Sequence, residues 1–283
     1  SLGTAPGIIF EEKNKMIILL PGVPREMKRM MQEGVIPYLN TKIRNREIIK
    51  SKVLKIWGIG ESQVEEKISP SLLHCSNPSI GLLAKEGEVH LRITAKFPPE
   101  IVDRRIKQVE NKLRAELGNY IYGVNEQTME EIVASWLTKK RLFIAVAESC
   151  TGGLISHRLT NIAGSSSYFH CGIVSYTNQA KVVFLKVDEQ IIKEKGAVSL
   201  EVAKKMALGA RVFTGADLGL GITGIAGPTG ATATKPVGLV YIALSDRIKQ
   251  IAQQFVFSGN REQIKWKASQ AALDILRKYL EVS

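Results

Sequence analysis

Leu142-Phe143-Ile144-Ala145-Val146-Ala147-Glu148-Ser149-Cys150-Thr151-Gly152-Gly153 is the stretch whose reading decides the fold of this chain. Its first five residues form an apolar run with the length and composition of a buried strand. Leu154-Ile155-Ser156-His157-Arg158-Leu159 follows at once and has the spacing of an amphipathic helix. A strand that turns through small hydroxyl residues and a Gly pair into a helix leaves backbone N–H groups unpaired at the helix start. Together with the helix dipole, those groups favour an anion such as a phosphate. The same residue types also cap helices and make tight turns, so this stretch by itself names no reaction.

Working outward, the third block of the chain, 126–283, alternates helices and strands. The pattern predicts a helix over 129–139, the strand 142–146 and a helix over 152–160. It continues with a strand over 172–176, helices over 178–185 and 200–213, and a strand over 217–223. Strands near 237–245 and 249–257 are close enough to form a hairpin, and a last helix runs over 261–280. Such alternation implies a mixed sheet covered on both faces, an α/β/α sandwich. The block 44–125 opens with an alternating strand around 48–57. Gly58-Ile59-Gly60-Glu61-Ser62 then turns into a helix with Val64 and Ile68 inward. Strands near 80–84 and 88–95 join at Lys85-Glu86-Gly87, and Pro98-Pro99 opens a helix over 100–117. This is a small α+β module. Residues 1–43 hold Gly3-Thr4-Ala5-Pro6-Gly7, a strand over 16–20 and Pro21-Gly22-Val23-Pro24-Arg25-Glu26-Met27 at the head of a helix. One strand–helix unit cannot bury a core of its own, so this block reads as the remnant of a larger α/β domain. The fold class expected is α/β: a C-terminal sandwich with a mixed sheet, a small α+β domain before it, and the remnant.

Composition narrows the function classes. Against 27 Asp and Glu stand 39 Lys and Arg, a net charge of +12. The basic residues are dispersed rather than gathered into an arm with interleaved aromatics, so they read as solvated surface. The three cysteines, Cys75, Cys150 and Cys171, form no Cys-x-x-Cys pair, and an odd count argues against a disulfide framework. A reducing, cytoplasmic setting is expected. The four His do not fall at zinc-ligand spacing with the cysteines, so no metal is expected. No apolar run has membrane-spanning length and no signal peptide is visible. The chain begins Ser1-Leu2-Gly3 without Met and reads as a processed or truncated product.

Within the third block, chemistry-bearing residues fall at predicted strand ends. Ser165-Ser166-Ser167 follows Gly164, with N-capping as its ordinary explanation. Gly172-Ile173-Val174-Ser175-Tyr176-Thr177-Asn178-Gln179-Ala180-Lys181 ends a strand and places Lys181 on the first turn of the next helix. A Lys there opposes the helix dipole, which lowers its pKa towards that of a base. Ile222-Thr223-Gly224-Ile225-Ala226-Gly227-Pro228 ends another strand, and ligands of open α/β sheets bind at such ends. Arg261 opens the last helix and suits a bidentate contact to phosphate. Hydroxyls, one Lys, one Arg and no evident metal ligands suit Ser-based acyl chemistry on an anionic substrate, with a Ser–Lys pair as the activating device.

These motifs resemble the CinA family, the competence/damage-inducible proteins. Ala147-Glu148-Ser149-Cys150-Thr151-Gly152-Gly153, Ile162-Ala163-Gly164-Ser165-Ser166, Val174 to Lys181, Gly196-Ala197-Val198-Ser199, Thr223 to Pro228, Lys235-Pro236-Val237-Gly238 and Phe257-Ser258-Gly259-Asn260-Arg261 carry the resemblance, in order. It implies that 126–283 is a nicotinamide-nucleotide amidohydrolase, converting nicotinamide mononucleotide to nicotinic acid mononucleotide and ammonia in pyridine-nucleotide salvage. It implies a KH-like domain over 44–125. It implies that 1–43 ends a molybdopterin-binding-like domain of ADP-ribose pyrophosphatase type, whose divalent metal is the only cofactor expected of the family. That domain is largely missing here, so pyrophosphatase activity is not expected. By the resemblance Ser166 is the nucleophile and Lys181 its base, with Ser149 and Tyr176 orienting groups or relaying protons. Thr151, Gly152, Ser165, Thr223, Gly224 and Arg261 bind the substrate, Arg261 through the 5′-phosphate. Ser149 presents a hydroxyl equally well on the motif alone. A homodimer is expected, with no membrane or nucleic-acid partner. The alternative is a non-catalytic nucleotide- or nucleic-acid-binding adaptor linked to competence or DNA damage. No Gly-x-x-Gly clamp stands in 44–125 to support nucleic-acid binding.

Overall fold

The computed structural model describes residues 5–13, 15–42, 47–85 and 87–282. The chain groups into two compact units, residues 1–50 with 95–105, and residues 51–94 with 106–283.

In the first unit β1 (Ile8–Glu12) and β2 (Lys15–Leu19) pair antiparallel. A helical run follows as α1 (Pro24–Met30), a π-helical segment (Met31–Val35) and α2 (Ile36–Lys42). Pro24 stands in the first turn of α1, where its missing N–H has no helical partner to lose. Glu11 accepts from Tyr38 Oη at 2.7 Å and Lys42 Nζ at 2.8 Å, tying the hairpin to α2. The sequence pattern predicts β2 and the helix but misses β1. All five β1 residues are exposed, so no alternation marks it. Gly3 and Thr4 of the expected Gly/Pro segment, and Glu86 of the expected hairpin turn, lie outside the described residues.

The α+β module falls mostly in the second unit, with residues 48–50 and 95–105 counted in the first. Its elements are β3 (Ile48–Ile56), α3 (Glu61–Lys67), α4 (Pro70–Leu73), β4 (Ser79–Lys85), β5 (Glu88–Phe97), α5 (Pro99–Leu117) and β6 (Ile121–Val124). The sheet order is β4-β5-β3-β6. Val89, Leu91 and Ile93 alternate into the core from β5, and Val64 and Ile68 are buried as their spacing predicts.

The C-terminal domain holds α6 (Met129–Lys140), β7 (Ile144–Glu148), α7 (Leu154–Thr160), β8 (Phe169–Val174), α8 (Asn178–Leu185), α9 (Glu189–Lys195), α10 (Leu200–Thr214), β9 (Leu218–Gly224), β10 (Leu239–Ser245), β11 (Gln250–Val256) and α11 (Arg261–Val282). Its five-stranded sheet has the order β11-β10-β9-β7-β8. β7 runs parallel to both β8 and β9, and β10 runs antiparallel to β9 and β11, so the sheet is mixed. Alternate residues of β7 serve two cores. Ile144 and Val146 pack with Leu137, Ile155 and Leu276 of α6, α7 and α11, while Ala145 and Ala147 pack with Leu185 and Met206 of α8 and α10. This is the expected α/β/α sandwich. Gly219 and Gly221 let α10 lie directly on β9. A Cβ at either would come within 2.0 or 2.5 Å of the Ala207 and Ala203 carbonyl oxygens.

The opening strand covers 144–148, two residues further along than the apolar run suggests. Phe143 instead exchanges hydrogen bonds with the Asp217 backbone and carboxylate just before β9 begins. The shift puts Glu148 inside the strand and makes Ser149 the first residue beyond it.

Candidate functional site

Three parallel strands end side by side at Glu148, Val174 and Gly224. The chain is laced across these ends. Ser149 N–H donates to the Ile222 carbonyl at 3.1 Å, and Ser175 N–H donates to the Glu148 carbonyl at 2.8 Å. Ser149 and Ser175 therefore emerge on the same edge, from adjacent strands.

Lys181 comes back to this edge from α8. Thr177 caps that helix, its Oγ1 accepting from Ala180 N–H at 3.1 Å, which fixes Lys181 one turn in. Lys181 is 1% exposed, and Nζ lies 3.0 Å from Ser149 Oγ. It also donates to the Ser175 carbonyl at 2.8 Å and approaches the Tyr176 carbonyl at 3.4 Å. Burial lowers the Lys181 pKa, because removing water disfavours the ammonium. The neighbouring Cys150 also lines the cavity described below. Burial pushes its thiol up to about 12, so at neutral pH it carries no thiolate.

The pair opens into a cavity of about 350 Å³ whose lining also includes Tyr176, Asn178, Thr223 and Arg261. That size falls in the range of small-molecule sites. Among the described residues that line it none is acidic, and Lys181 and Arg261 are basic. Arg261 Nη1 donates to the Gly227 carbonyl at 2.6 Å and Nη2 to Tyr176 Oη at 2.7 Å. A guanidinium has five N–H donors, so others remain for an anion.

Several expected residues meet here: Ser149, Lys181, Tyr176, Thr223, Gly224 and Arg261. Ser165 and Ser166 do not. They form a short 3₁₀ turn at the other end of β8, with Ser166 exposed and Ser165 Oγ 3.5 Å from the Thr160 carbonyl. The length of β8 separates them from Ser175 and Lys181, on the order of 15–20 Å at a strand's rise per residue. The geometry therefore brings Ser149, not Ser166, to Lys181. Thr223 is tied elsewhere too. Its single hydroxyl proton goes to the Ala197 carbonyl at 2.8 Å, so it holds the wall and has none to give an oxyanion. Thr151 is fully buried, with Oγ1 unpartnered among the described residues, and lies off the cavity lining. Gly152 is an exposed turn residue at φ +63° beside Lys265.

The expected phosphate seat at the start of α7 is already filled. Glu148 reaches over the turn and accepts N–H bonds from Gly153 at 2.9 Å, Ile155 at 3.1 Å and Ser156 at 2.8 Å, plus Ser156 Oγ–H at 2.7 Å. A buried carboxylate thus takes the place assigned to an external anion. An acidic residue six before the helix start was the available signal, but it reads as part of the strand–turn motif.

Residues 126–280 match the family model described as the CinA C-terminal domain, and residues 51–123 match the damage-inducible protein CinA KH domain. A protein of Caldicellulosiruptor saccharolyticus named as competence-damage inducible is 52% identical over 98% of this chain and 67% of its own length. The CinA-like protein of Kosmotoga olearia is 47% identical over the same shares. Among solved structures, the competence/damage inducible protein CihA from Agrobacterium tumefaciens superposes with a TM-score of 0.52 at 39% identity. That match covers 54% of this chain and 95% of that one. A competence or damage-inducible protein from Enterobacter asburiae gives 0.53 at 30% identity, over 55% and 99%.

Proposed function

The chain belongs to the CinA family, and from that premise we propose that its C-terminal domain hydrolyses the carboxamide of nicotinamide mononucleotide, giving nicotinic acid mononucleotide and ammonia, with Ser149 as nucleophile and Lys181 as base. The buried 3.0 Å Ser149–Lys181 pair in the lining of a cavity with no acidic lining residue carries this reading.

A neutral amine has two N–H donors and one lone pair. The Ser175 and Tyr176 carbonyls take the donors, which turns the lone pair towards Ser149 Oγ. Ser149 O–H then donates to Nζ and its oxygen gains nucleophilic character. Oγ attacks the carboxamide carbon, made electrophilic by the pyridinium ring, and Lys181 takes the proton. Lys181 returns that proton to the amide nitrogen as the C–N bond breaks, and ammonia leaves. Water attacks the acyl-enzyme with Lys181 again as base, releasing the acid and restoring Ser149. Arg261 and the absence of acidic walls favour a phosphorylated substrate. Tyr176, held by Arg261, stands at the cavity wall and orients the bound ring.

Ammonia release from nicotinamide mononucleotide by the wild-type chain, Ser149→Ala, Lys181→Met and Ser166→Ala tests the assignment. The first two substitutions are expected to lower kcat by about a thousandfold or more, with Ser166→Ala within about twofold. A Ser149→Ala variant that keeps its turnover removes Ser149 from the role. A folded wild-type chain that binds the nucleotide but releases no ammonia overturns the amidase and leaves a binding function.

A further inference from the structure

Two irregular loops build much of the cavity. One is Gly196-Ala197-Val198-Ser199, between α9 and α10, which contributes Ala197 and Val198. The other follows β9 and contributes Gly227, Thr229 and Gly230. Neither has a ladder to hold it, yet three carbonyls of the first, those of Gly196, Ala197 and Val198, accept from side chains. Ser199 Oγ donates to the Gly196 carbonyl at 2.9 Å and Thr223 Oγ1 to the Ala197 carbonyl at 2.8 Å. The Val198 carbonyl and that of Lys195, the residue before the loop, both accept from Lys235 Nζ at 2.7 Å. Lys235 lies at the far end of the second loop. A turn pins it there, Thr232 N–H donating to the Lys235 carbonyl at 2.9 Å and Lys235 N–H to Thr232 Oγ1 at 3.1 Å. Gly196 leaves the room this requires. It sits at φ +78°, and a Cβ there would lie 2.9 Å from Lys235 Nζ.

We propose that Lys235 is a positioning residue whose ammonium clasps the two loops together and so sets the wall on which the nucleotide binds. It is not among the residues that line the cavity, and Ser149 and Lys181 are placed by other elements, so the clasp governs binding and not the bond-making steps. An ammonium bonded to two carbonyls is a charge-assisted contact, stronger than a neutral one. Without it the loops lose the geometry that substrate and transition state share, which is the signature of uniform binding. The kinetic part of the inference rests on the amidase reading; the clasp does not.

The test uses the full chain as Lys235→Met, which keeps the stem but removes the donors, and Gly196→Ala, which puts a methyl in the ammonium's place. Hydrogen exchange in peptides covering 195–199 is expected to accelerate in both, with β7 and β9 unchanged. KM for nicotinamide mononucleotide is expected to rise about tenfold, equivalent to about 1.4 kcal/mol of binding, with kcat within about threefold and the pH profile unmoved. The double variant is expected to be no worse than the poorer single, since both remove one contact, and Lys235→Arg to recover part of the loss. Unchanged exchange at 195–199 in Lys235→Met overturns the clasp. Faster exchange with an unchanged KM, or a fall in kcat alone, overturns its role in binding. A wild-type chain that releases no ammonia overturns the amidase reading, and the exchange measurement still decides the clasp.

Discussion

A lysine surrounded by a hydroxyl and two carbonyls has nothing to stabilise its charge as a carboxylate would, and burial alone drives its pKa down. The direction fixes the pH dependence. As the proposed base, Lys181 acts only when deprotonated, so kcat/KM is expected to fall as the pH drops through its pKa. Because that pKa lies below the ordinary lysine value of 10.5, the acid limb appears below that pH. A pH–rate profile of the wild-type chain checks this, and activity that grows towards acid contradicts Lys181 as base. At this scale the residue types were legible. Ser149, Thr223, Lys181, Tyr176 and Arg261 stood out near predicted strand ends and do converge, whereas Thr151, Ser165 and Ser166 do not. Which serine meets the lysine was not legible, because that depends on strand direction. Ser149 follows its strand and Ser166 precedes one, and in a parallel pair these positions lie at opposite ends.

The α7 turn shows what one side chain does for an element. Glu148 takes three N–H groups that a helix start leaves unpaired, as well as the Ser156 hydroxyl. It is also the residue before Ser149, so the proposed nucleophile leaves the strand from an anchored point. Glu148→Gln keeps one acceptor oxygen but turns an NH₂ group towards N–H donors. The expected loss is about 1–3 kcal/mol of stability, read as a lower Tm, together with a drop in kcat at little change in KM. An unchanged Tm would mean that the helix start is satisfied without the carboxylate. The elements missed in the sequence include β1, α4, β6 and α9, which span four to seven residues. Segments that short carry too little periodicity to separate from loop. The long α10 and α11 were legible because several turns of apolar spacing repeat in each.

Across the molecule, the small module and the C-terminal domain share one buried core. Trp57 and Tyr122 from the module cluster with Val133, Val146 and Leu276. A charged seam accompanies it. Arg277 of α11 is 1% exposed and donates to Asp274 at 2.7 Å, to Glu281 at 2.9 Å and to the Asn119 carbonyl at 2.7 Å, between α5 and β6. Nothing in the sequence singles out Arg277 from the other charges of its helix, because its partner carbonyl is 158 residues away. A seam of this kind predicts that residues 51–94 and 106–283 unfold in a single transition. Arg277→Met keeps much of the volume but takes the buried donor from the Asn119 carbonyl and leaves the Asp274 carboxylate with Lys278, at 2.8 Å, as its remaining ion-pair partner. Losing these donors is expected to lower stability by about 1–3 kcal/mol. Calorimetry of wild type and variant checks both points. A variant with an unchanged Tm shows that the shared apolar core alone joins the domains, and two separate wild-type transitions show that they are not joined at all.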